Sequence, residues 1–331
     1  MKNNIKQIIT INKKMFGIMT RENNVISNCN IAIKNNDKYC NENKQKKFLH
    51  FGSEHYYEYT FNKKVVISSD ITHLTFYSSF NQKVVIPPTV THLTFGHNFD
   101  QELVIPENVT HLTFGHNFDQ ELVIPENVTH LTFGHNFNQE LVIPENVTHL
   151  TFGHDFNQQV VIPPSVTHLT FGHNFNQEIV IPENVTHLTF GYSFSQEVVI
   201  LSNITHLTIG HWFRFIKQQI NLSNIKYIKL DCNNIDLIEN LPNSIEEIEF
   251  DHNFGLELQN LPNSIKKISF DYDSYYDQEL NCLPEFVECI KLPNAYDKQI
   301  KKFPLNLKTI MCNRKYKYIK DFKDKYNVIT Y

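Results

Sequence analysis

Several features that this chain of 331 residues lacks exclude whole classes of protein. Its six cysteines form no CxxC pair and avoid the regular central part of the chain, which argues against a zinc knuckle or a disulfide lattice, so we expect reduced thiols. Runs of about 18 apolar residues are lacking, so no membrane span is expected. The first apolar stretch is broken by Lys6, Gln7 and Thr10 and does not resemble the core of a signal peptide. We therefore expect a soluble, cytoplasmic protein.

Alanine and arginine are also scarce. Alanine occurs only at positions 32 and 295 and arginine only at 21, 214 and 314, whereas Asn, Lys, Ile, Phe and Tyr dominate. We interpret this bias as the imprint of an AT-rich genome, so the use of Lys in place of Arg carries little functional information. The apolar fraction of 41% and the 26 phenylalanines are enough for a continuous core, which argues against wholesale disorder.

What the chain does contain is a repeat of 19 residues, typified by VTHLTFGHNFDQELVIPEN at 109–127. The third residue of each copy is a histidine, and these histidines follow one another at a constant spacing: His73, His92, His111, His130, His149, His168, His187 and His206. A fixed period of this kind indicates a solenoid. One copy is too small to bury its own apolar side chains, so the copies must stack to form a core.

Each copy has the residue spacing of a leucine-rich repeat. Val109, Leu112, Phe114 and Asn117 stand at positions one, four, six and nine, which matches L-x-x-L-x-L-x-x-N. The alternation of apolar Leu112 and Phe114 with polar Thr113 has the period of a strand.

The second half of the copy predicts a shorter extended segment. Phe118, Leu122 and Ile124 are predicted to point inward, and Pro125 opens a Pro-Glu-Asn turn into the next copy. Nineteen residues leave little room for a helix. We therefore predict a β-rich, leucine-rich-repeat-like solenoid of about thirteen coils, with one strand ladder on the exposed face and a shorter extended segment on the other side.

The copies define the expected domain boundaries. We predict an N-terminal cap or partly disordered segment at 1–48, a solenoid at 49–310 and a C-terminal cap at 311–331. Within the solenoid, the regular copies occupy 71–203 and looser copies occupy 204–310. An insertion at 53–60, SEHYYEYT, places three tyrosines on one loop.

Charge is distributed unevenly around a net value of −5. Residues 1–50 carry ten Lys/Arg against three acids, residues 71–203 carry twelve acids against Lys83 alone, and residues 301–331 carry nine Lys/Arg against two Asp. Basic ends around an acidic middle do not form a nucleic-acid groove along the solenoid, so no nucleic-acid partner is expected there. The basic termini could contact an anionic surface.

The repeat resembles a known family. Phe-Asn followed by Ile-Pro, as in Phe137-Asn138 with Ile143-Pro144, together with VTHLTFG, is similar to the FNIP repeat, a relative of leucine-rich repeats, over roughly 49–270. Proteins of that family are concentrated in amoebae and in the large viruses that infect them, and some carry an N-terminal F-box or a kinase domain. Residues 1–48 show no recognisable F-box, and no kinase signature occurs. The resemblance implies repeats and partner binding, without a catalytic role.

Stacked copies turn single residues into columns, and the histidines of position three form the most distinctive one. Imidazoles within reach of one another could chelate Zn, Ni or Cu. The alternative, which we adopt, is a solvated ladder that stiffens the sheet, because a metal site needs one closed shell with oriented supporting groups. We expect no metal and no cofactor. Protonated neighbours would repel, so lowered pKa values are predicted for this column.

Other columns predict structural roles. The asparagines at position nine are expected to satisfy backbone groups where the strand ends, the glycines at position seven to permit a bend, and the Glu column that includes Glu121 to form a solvated face. The Asn-Val-Thr sequences are interpreted as turns rather than as glycosylation sites.

We interpret the chain as a non-enzymatic scaffold that binds a protein partner of unknown identity through the exposed sheet face. An adaptor that recruits substrates to a host ubiquitin ligase, docking through 1–48, is the alternative. An enzyme is disfavoured because no nucleophile, acid pair or metal box stands out from the repeats. The candidate partner-binding residues are the eight histidines of position three, Thr75, Thr94, Thr113 and Thr132 of position five, and Trp212 with Arg214, where regularity is lost.

Overall fold

The computed structural model describes residues 48–51, 64–214 and 221–331, with side chains described for the last two ranges. Two expectations fall almost wholly outside these residues: the cap or docking segment at 1–48, of which only Phe48 is described, and the tyrosine insertion at 53–60. The chain divides into two compact units, Met1–Gly134 and His135–Tyr331.

In the part of the first unit that the structure describes there are five short parallel strands. They are β1 (Phe48–Phe51), β2 (His73–Phe76), β3 (His92–Thr94), β4 (His111–Thr113) and β5 (His130–Thr132). Each strand pairs in parallel with the next, and equivalent residues face each other, so that His73 pairs with His92 and His92 with His111.

The described residues of the second unit form ten strands and two short helical turns. The strands are β6 (His149–Thr151), β7 (His168–Thr170), β8 (His187–Thr189), β9 (His206–Ile209), β10 (Tyr227–Leu230), β11 (Glu247–Phe250), β12 (Lys267–Phe270), β13 (Cys289–Lys291), β14 (Thr309–Cys312) and β15 (Asn327–Thr330). Neighbours again pair in parallel with equivalent residues in register. Helix α1 (Ile235–Glu239) and the 3-10 turn η1 (Ile319–Asp321) lie between strands.

Both units are parallel β-solenoids, which together make about 13 turns with almost no helix. The predicted fold class is thereby confirmed. Helix α1 forms in a looser coil, where Asn234 caps it by accepting a hydrogen bond from the Leu237 N–H at 3.0 Å. Among the described residues, no helix has the length and apolar character needed to cross a membrane.

Inward columns form the core. Val166 and Leu169 are at most 1% exposed, and Phe171 and Phe175 pack ring on ring with centroids 4.1 Å apart. Phe175 also stacks on Phe194 of the next coil at 6.1 Å. Each such side chain contributes roughly 1.5–3 kcal/mol by leaving water. These side chains are buried because equivalent residues of successive coils lie above one another.

In the looser coils the aromatic column continues with tyrosines. Tyr276, Tyr296 and Tyr316 succeed Phe254, and neighbouring rings lie 6.0–6.4 Å apart. Buried phenols need hydrogen-bond partners. Tyr296 donates to the Gln278 carbonyl at 3.0 Å, and Tyr316 donates to the Lys298 carbonyl at 2.5 Å.

The position-seven glycines serve close packing between coils. A Cβ added at Gly172 would lie 1.8 Å from the carbonyl oxygen of Gly153, and one at Gly115 would lie 1.9 Å from that of Gly96. These distances are far below van der Waals contact, so only glycine at position seven allows the backbones of successive coils to lie this close. The sequence interpretation, a local bend, missed this reason.

In the regular copies, backbone groups beyond the strand are satisfied at position eleven rather than at position nine. Asn138 accepts from the Asn157 N–H at 2.9 Å, and Asn157 accepts from the Asn176 N–H at 2.9 Å. The position-nine side chain instead bonds the histidine before it, as His173 Nδ1 to Asn174 Oδ1 at 2.9 Å. In the regular copies the predicted role therefore belongs to another column, whereas in a looser coil Asn233 of position nine accepts from the Gly255 N–H at 2.7 Å, as predicted.

Candidate interaction surface

The histidines of position three stack into a regular column within each unit, and we call the side of the strands that carries positions three and five the strand face. In the second unit the ring centroids of His149, His168, His187 and His206 are 4.2, 4.1 and 4.0 Å apart in turn. His73, His92, His111 and His130 of the first unit are spaced by 4.1–4.2 Å. Parallel in-register strands about 4.8 Å apart produce this arrangement.

Threonines of position two fix the orientation of the rings. Thr167 Oγ1 donates to the Thr148 carbonyl of the preceding coil at 3.1 Å and lies 2.9 Å from His168 Nδ1. Because its one hydroxyl hydrogen goes to the carbonyl, the network assigns the proton between Oγ1 and Nδ1 to the ring. A neutral ring held this way keeps Nε2 as an acceptor.

The stack favours neutral imidazoles. Burial, followed by the charges of His206, His168 and His149, lowers the pKa of His187 to about 4. Burial and then His149 and His206 also lower the pKa of His168. The rings are half-buried because each covers its neighbours, so the column is less exposed than the sequence suggested.

The strand face brings together only part of the candidate set. Thr75 and Thr94 pair in register in the first unit, as do Thr94 with Thr113 and Thr113 with Thr132, beside the histidine column. Trp212 and Arg214 instead follow β9, beyond its end.

Trp212 is 59% exposed and stands edge-on to His211, with centroids 5.0 Å apart. It also contacts Tyr192 edge-on at 6.5 Å. Arg214 is exposed, whereas Phe213 is buried in the core. An exposed tryptophan with an arginine nearby is the composition typical of binding hot spots.

Position nine, which is asparagine in most regular copies, carries a carboxylate at Asp155. Its oxygens lie 2.7 Å from His154 Nδ1 and 3.4 Å from His135 Nδ1. The hydrogen bond from His154 lowers the pKa of Asp155 despite some desolvation. The two rings stack at 4.2 Å with only 5° between their planes, so their lone pairs run parallel and do not converge on one point. This geometry suits a shared hydrogen bond better than a metal ion.

Beyond β9 the strand face becomes an ion-pair ladder. Lys229 lies 2.9 Å from Glu249 and 3.1 Å from Asp251, and Glu246 bridges Lys226 and Lys266 at 3.2 and 2.6 Å. Burial alone would lower the pKa of Lys229, but its hydrogen bonds to Glu249 and Asp251 raise it.

Sequence reasoning did not single out the most exposed apolar feature among the described residues. Position fifteen carries a valine in every regular copy, and we call this set the valine column. Its members in the second unit are Val142, Val161 and Val180, each 85–86% exposed, and Val199 at 56%. The preceding residue, predicted to point inward, is only half-buried, as at Leu122 and Leu141. The sequence signal for this exposure was the alternation of a strand: because Ile143 points inward, the neighbouring Val142 points outward.

The four described cysteines, Cys232, Cys282, Cys289 and Cys312, are free. Burial raises the pKa of Cys232 to about 11 and also raises those of Cys289 and Cys312. Thiols in such surroundings are poor nucleophiles.

Parallel in-register coils with a leucine-rich-repeat spacing define the class of protein, a leucine-rich-repeat-like solenoid. A family model, FNIP Repeat, matches residues 61–98, 82–115, 99–136, 118–143, 137–174, 156–181, 175–211 and 233–273. The chain belongs to the FNIP repeat family.

Solved structures agree with this class. The chain is 32% identical to CroV588, described as a novel circular LRR protein, with a TM-score of 0.58 over 78% of this chain and 42% of that one. The chain thus spans less than half the length of CroV588. A leucine-rich repeat protein from Bacteroides ovatus is 16% identical over 86% of this chain and 92% of that chain, with a TM-score of 0.29, which is too low to inform further. None of the curated proteins matches the chain.

Proposed function

We propose that this protein is a non-catalytic scaffold of the cytoplasm that binds a protein partner through its strand face. The observation that carries the proposal is the fixed geometry of the position-two threonines and position-three histidines. Rings stack at 4.0–4.2 Å in the second unit, and threonine hydroxyls bond both the ring and the preceding coil.

Pre-ordered side chains make a good binding surface. Association normally costs about 0.5–1.5 kcal/mol for each flexible side chain that becomes fixed. On the strand face this ordering is already present before a partner arrives. The lowered pKa values of His168 and His187 keep these rings neutral at pH 7, which reduces the desolvation cost of covering them.

Trp212 and Arg214 supply a second kind of contact in this proposal. Both are exposed, and tryptophan and arginine dominate the binding energy of many interfaces. A partner that extends past β9 would contact them. Catalysis is not proposed, because near-identical coils do not create the two unlike environments that an acid and a base require.

The test is a pair of substitutions that the fold should tolerate. Lys229 and Lys291 already occupy position five in β10 and β13, so Thr151→Lys with Thr170→Lys should fold while placing two charges on the strand face. Wild-type protein is used to capture a partner from host-cell lysate and to measure its affinity.

We expect the double variant to lose the partner, because two lysines must be desolvated in the interface. Glu239→Lys, a charge change at an exposed site in α1 away from the strand face, is the control and should retain it. Equal binding by wild type and the double variant would overturn the proposed face.

A further inference from the structure

The valine column of the second unit lies along an open groove. Val142, Val161 and Val180 line it, together with the half-buried Leu141, Val160 and Ile179, and its volume is about 1020 Å³. Most exposed apolar residues in proteins are scattered singly, whereas contiguous ones mark interaction sites. Here the stacking of coils aligns one exposed valine above the next about every 4.8 Å.

Acidic side chains border the groove on both sides. Position thirteen supplies Glu178 and Glu197, two residues before the valines, and position eighteen supplies Glu145, three residues after. Residues 135–213 carry six Asp/Glu and no Lys/Arg. Arg214, at the end of the described range 64–214, also lines the groove. The field along the valine column is therefore negative, and a complementary ligand is apolar in the middle and cationic at its sides.

The spacing of the column selects the shape of that ligand. An α-helix rises about 1.5 Å per residue, so apolar side chains three or four residues apart are about 4.5–6 Å apart along one face. That range includes the coil spacing of about 4.8 Å. An extended peptide repeats its side chains on one face about every 6.7 Å, which does not match.

We propose that the valine groove of the second unit binds a cationic amphipathic helix of a partner protein. Apolar residues of the helix would lie on Val142, Val161 and Val180, and its lysines or arginines would face the bordering glutamates. Apart from Arg214, which is also a candidate contact of the proposed function, this surface is separate from the strand face, so the inference goes beyond the proposed function and does not depend on it.

The probe is a peptide of about 18 residues that contains only leucine and lysine, with leucines at helical spacing, a length that allows a helix to form. Two control peptides are used. One has the same composition in strict alternation, and the other has glutamate in place of lysine. Binding to the full chain is measured by fluorescence anisotropy, with light scattering to follow self-association.

We expect the helical lysine peptide to bind about tenfold or more tightly than either control, with an affinity that falls as salt is added. Val161→Ser and Glu178→Lys should each weaken it about tenfold. Both sites are exposed, so folding is expected to survive, and thermal melting checks it. Glu239→Lys, an equal charge change in α1, and the double variant with Thr151→Lys and Thr170→Lys should keep the wild-type affinity.

Three results would overturn the proposal. The alternating peptide could bind as tightly as the helical one, which would reduce the effect to net charge. The Val161→Ser and Glu178→Lys variants could both retain full affinity, which would place binding elsewhere. Light scattering could instead show a dimer that Val161→Ser dissociates, so that a second copy of this chain would be the occupant.

Discussion

Within the second unit, strands β6–β9 and strands β10–β12 share one register but carry different side chains on the strand face. The earlier strands present His168 and His187 in a neutral stack, and the later ones present Lys229 and Glu249 in an ion-pair ladder. The inward residues stay apolar and buried in both regions, since Leu169 and Ile228 are each at most 1% exposed. The buried residues therefore fix the register, while the side chains on the strand face can differ from coil to coil.

The largest effect is expected at position seven, which is glycine in every regular coil except the first, where it is Tyr77, and is Asp251 or Asp271 in later coils. Gly172→Ala should cost about 4 kcal/mol or more, since the new Cβ would lie 1.8 Å from the Gly153 carbonyl oxygen and only separation of the coils relieves that contact. Urea unfolding measures the loss. Asp271→Ala in a later coil is the control and should cost far less.

Acid should weaken the histidine stack before it weakens the ion pairs. Because the folded pKa of His187 is about 4 and the ordinary value is 6.5, the unfolded chain takes up the proton first. The stabilisation is complete above pH 6.5 and is lost as the pH falls towards about 4. Neighbouring charges about 4 Å apart repel by roughly 1 kcal/mol even in water, so charging His168 and His187 together costs about 1 kcal/mol in addition to their desolvation.

Hydrogen exchange at pH 7.5 and pH 5 checks this order. Amides of β7 and β8 should lose more protection than those of β11 and β12. Hydrogen bonds from His252 and Lys229 outweigh burial and lower the pKa of Asp251 below 3.8, so the stabilisation from that carboxylate lasts until the pH falls below that value. His187→Gln should reduce the loss on acidification. Uniform loss in both regions would contradict the distinction.

A smaller effect is expected at Lys229. Lys229→Met leaves the half-buried carboxylates of Glu249 and Asp251 without their cation, which should cost about 1–3 kcal/mol and raise the pKa of Asp251. Chemical denaturation and an NMR titration of Asp251 measure the two effects. An unchanged Asp251 titration would show that the pair does not set this pKa.

The smallest effect is expected at the exposed end of the ladder. Lys266→Ala removes an ion pair with Glu246 at 2.6 Å, but both side chains are well solvated. Exposed pairs of this kind contribute little. No measurable change in Tm is expected at physiological salt, and a clear decrease would mean that the ladder acts as a coupled network.

The sequence predicted the parts of the fold that depend on periodicity. The spacing of Val109, Leu112 and Phe114 predicted buried positions, and all three are at most 3% exposed. It also predicted a Pro-Glu-Asn turn, which Val109 closes by donating to the Pro106 carbonyl at 3.1 Å. These features are local, so a single copy specifies them.

Features that depend on the distance between coils could not be predicted from the sequence. The requirement for Gly172, the half-burial of the histidine rings and the role of Asn157 arise only when one coil lies on the next. The predicted inward direction of Leu122 and Ile124 already placed the intervening valine outward, but the valines become a continuous column, as at Val161, only when the coils stack. The candidate face itself remains a prediction, because no partner tests it.

A cysteine pair across β7 and β8 tests the central claim, that equivalent residues of successive copies lie side by side. Thr170 pairs in register with Thr189, and parallel neighbours about 4.8 Å apart lie within the Cα range of about 4.4–6.8 Å that a disulfide can span. The chain with Thr170→Cys and Thr189→Cys is oxidised mildly and cleaved after Glu178 and Glu183, which separates the two positions. The account predicts that mass spectrometry will find these peptides linked, with little linkage for Thr170→Cys with His187→Cys, two residues out of register. Equal linkage in both pairs, or none in the first, would contradict it.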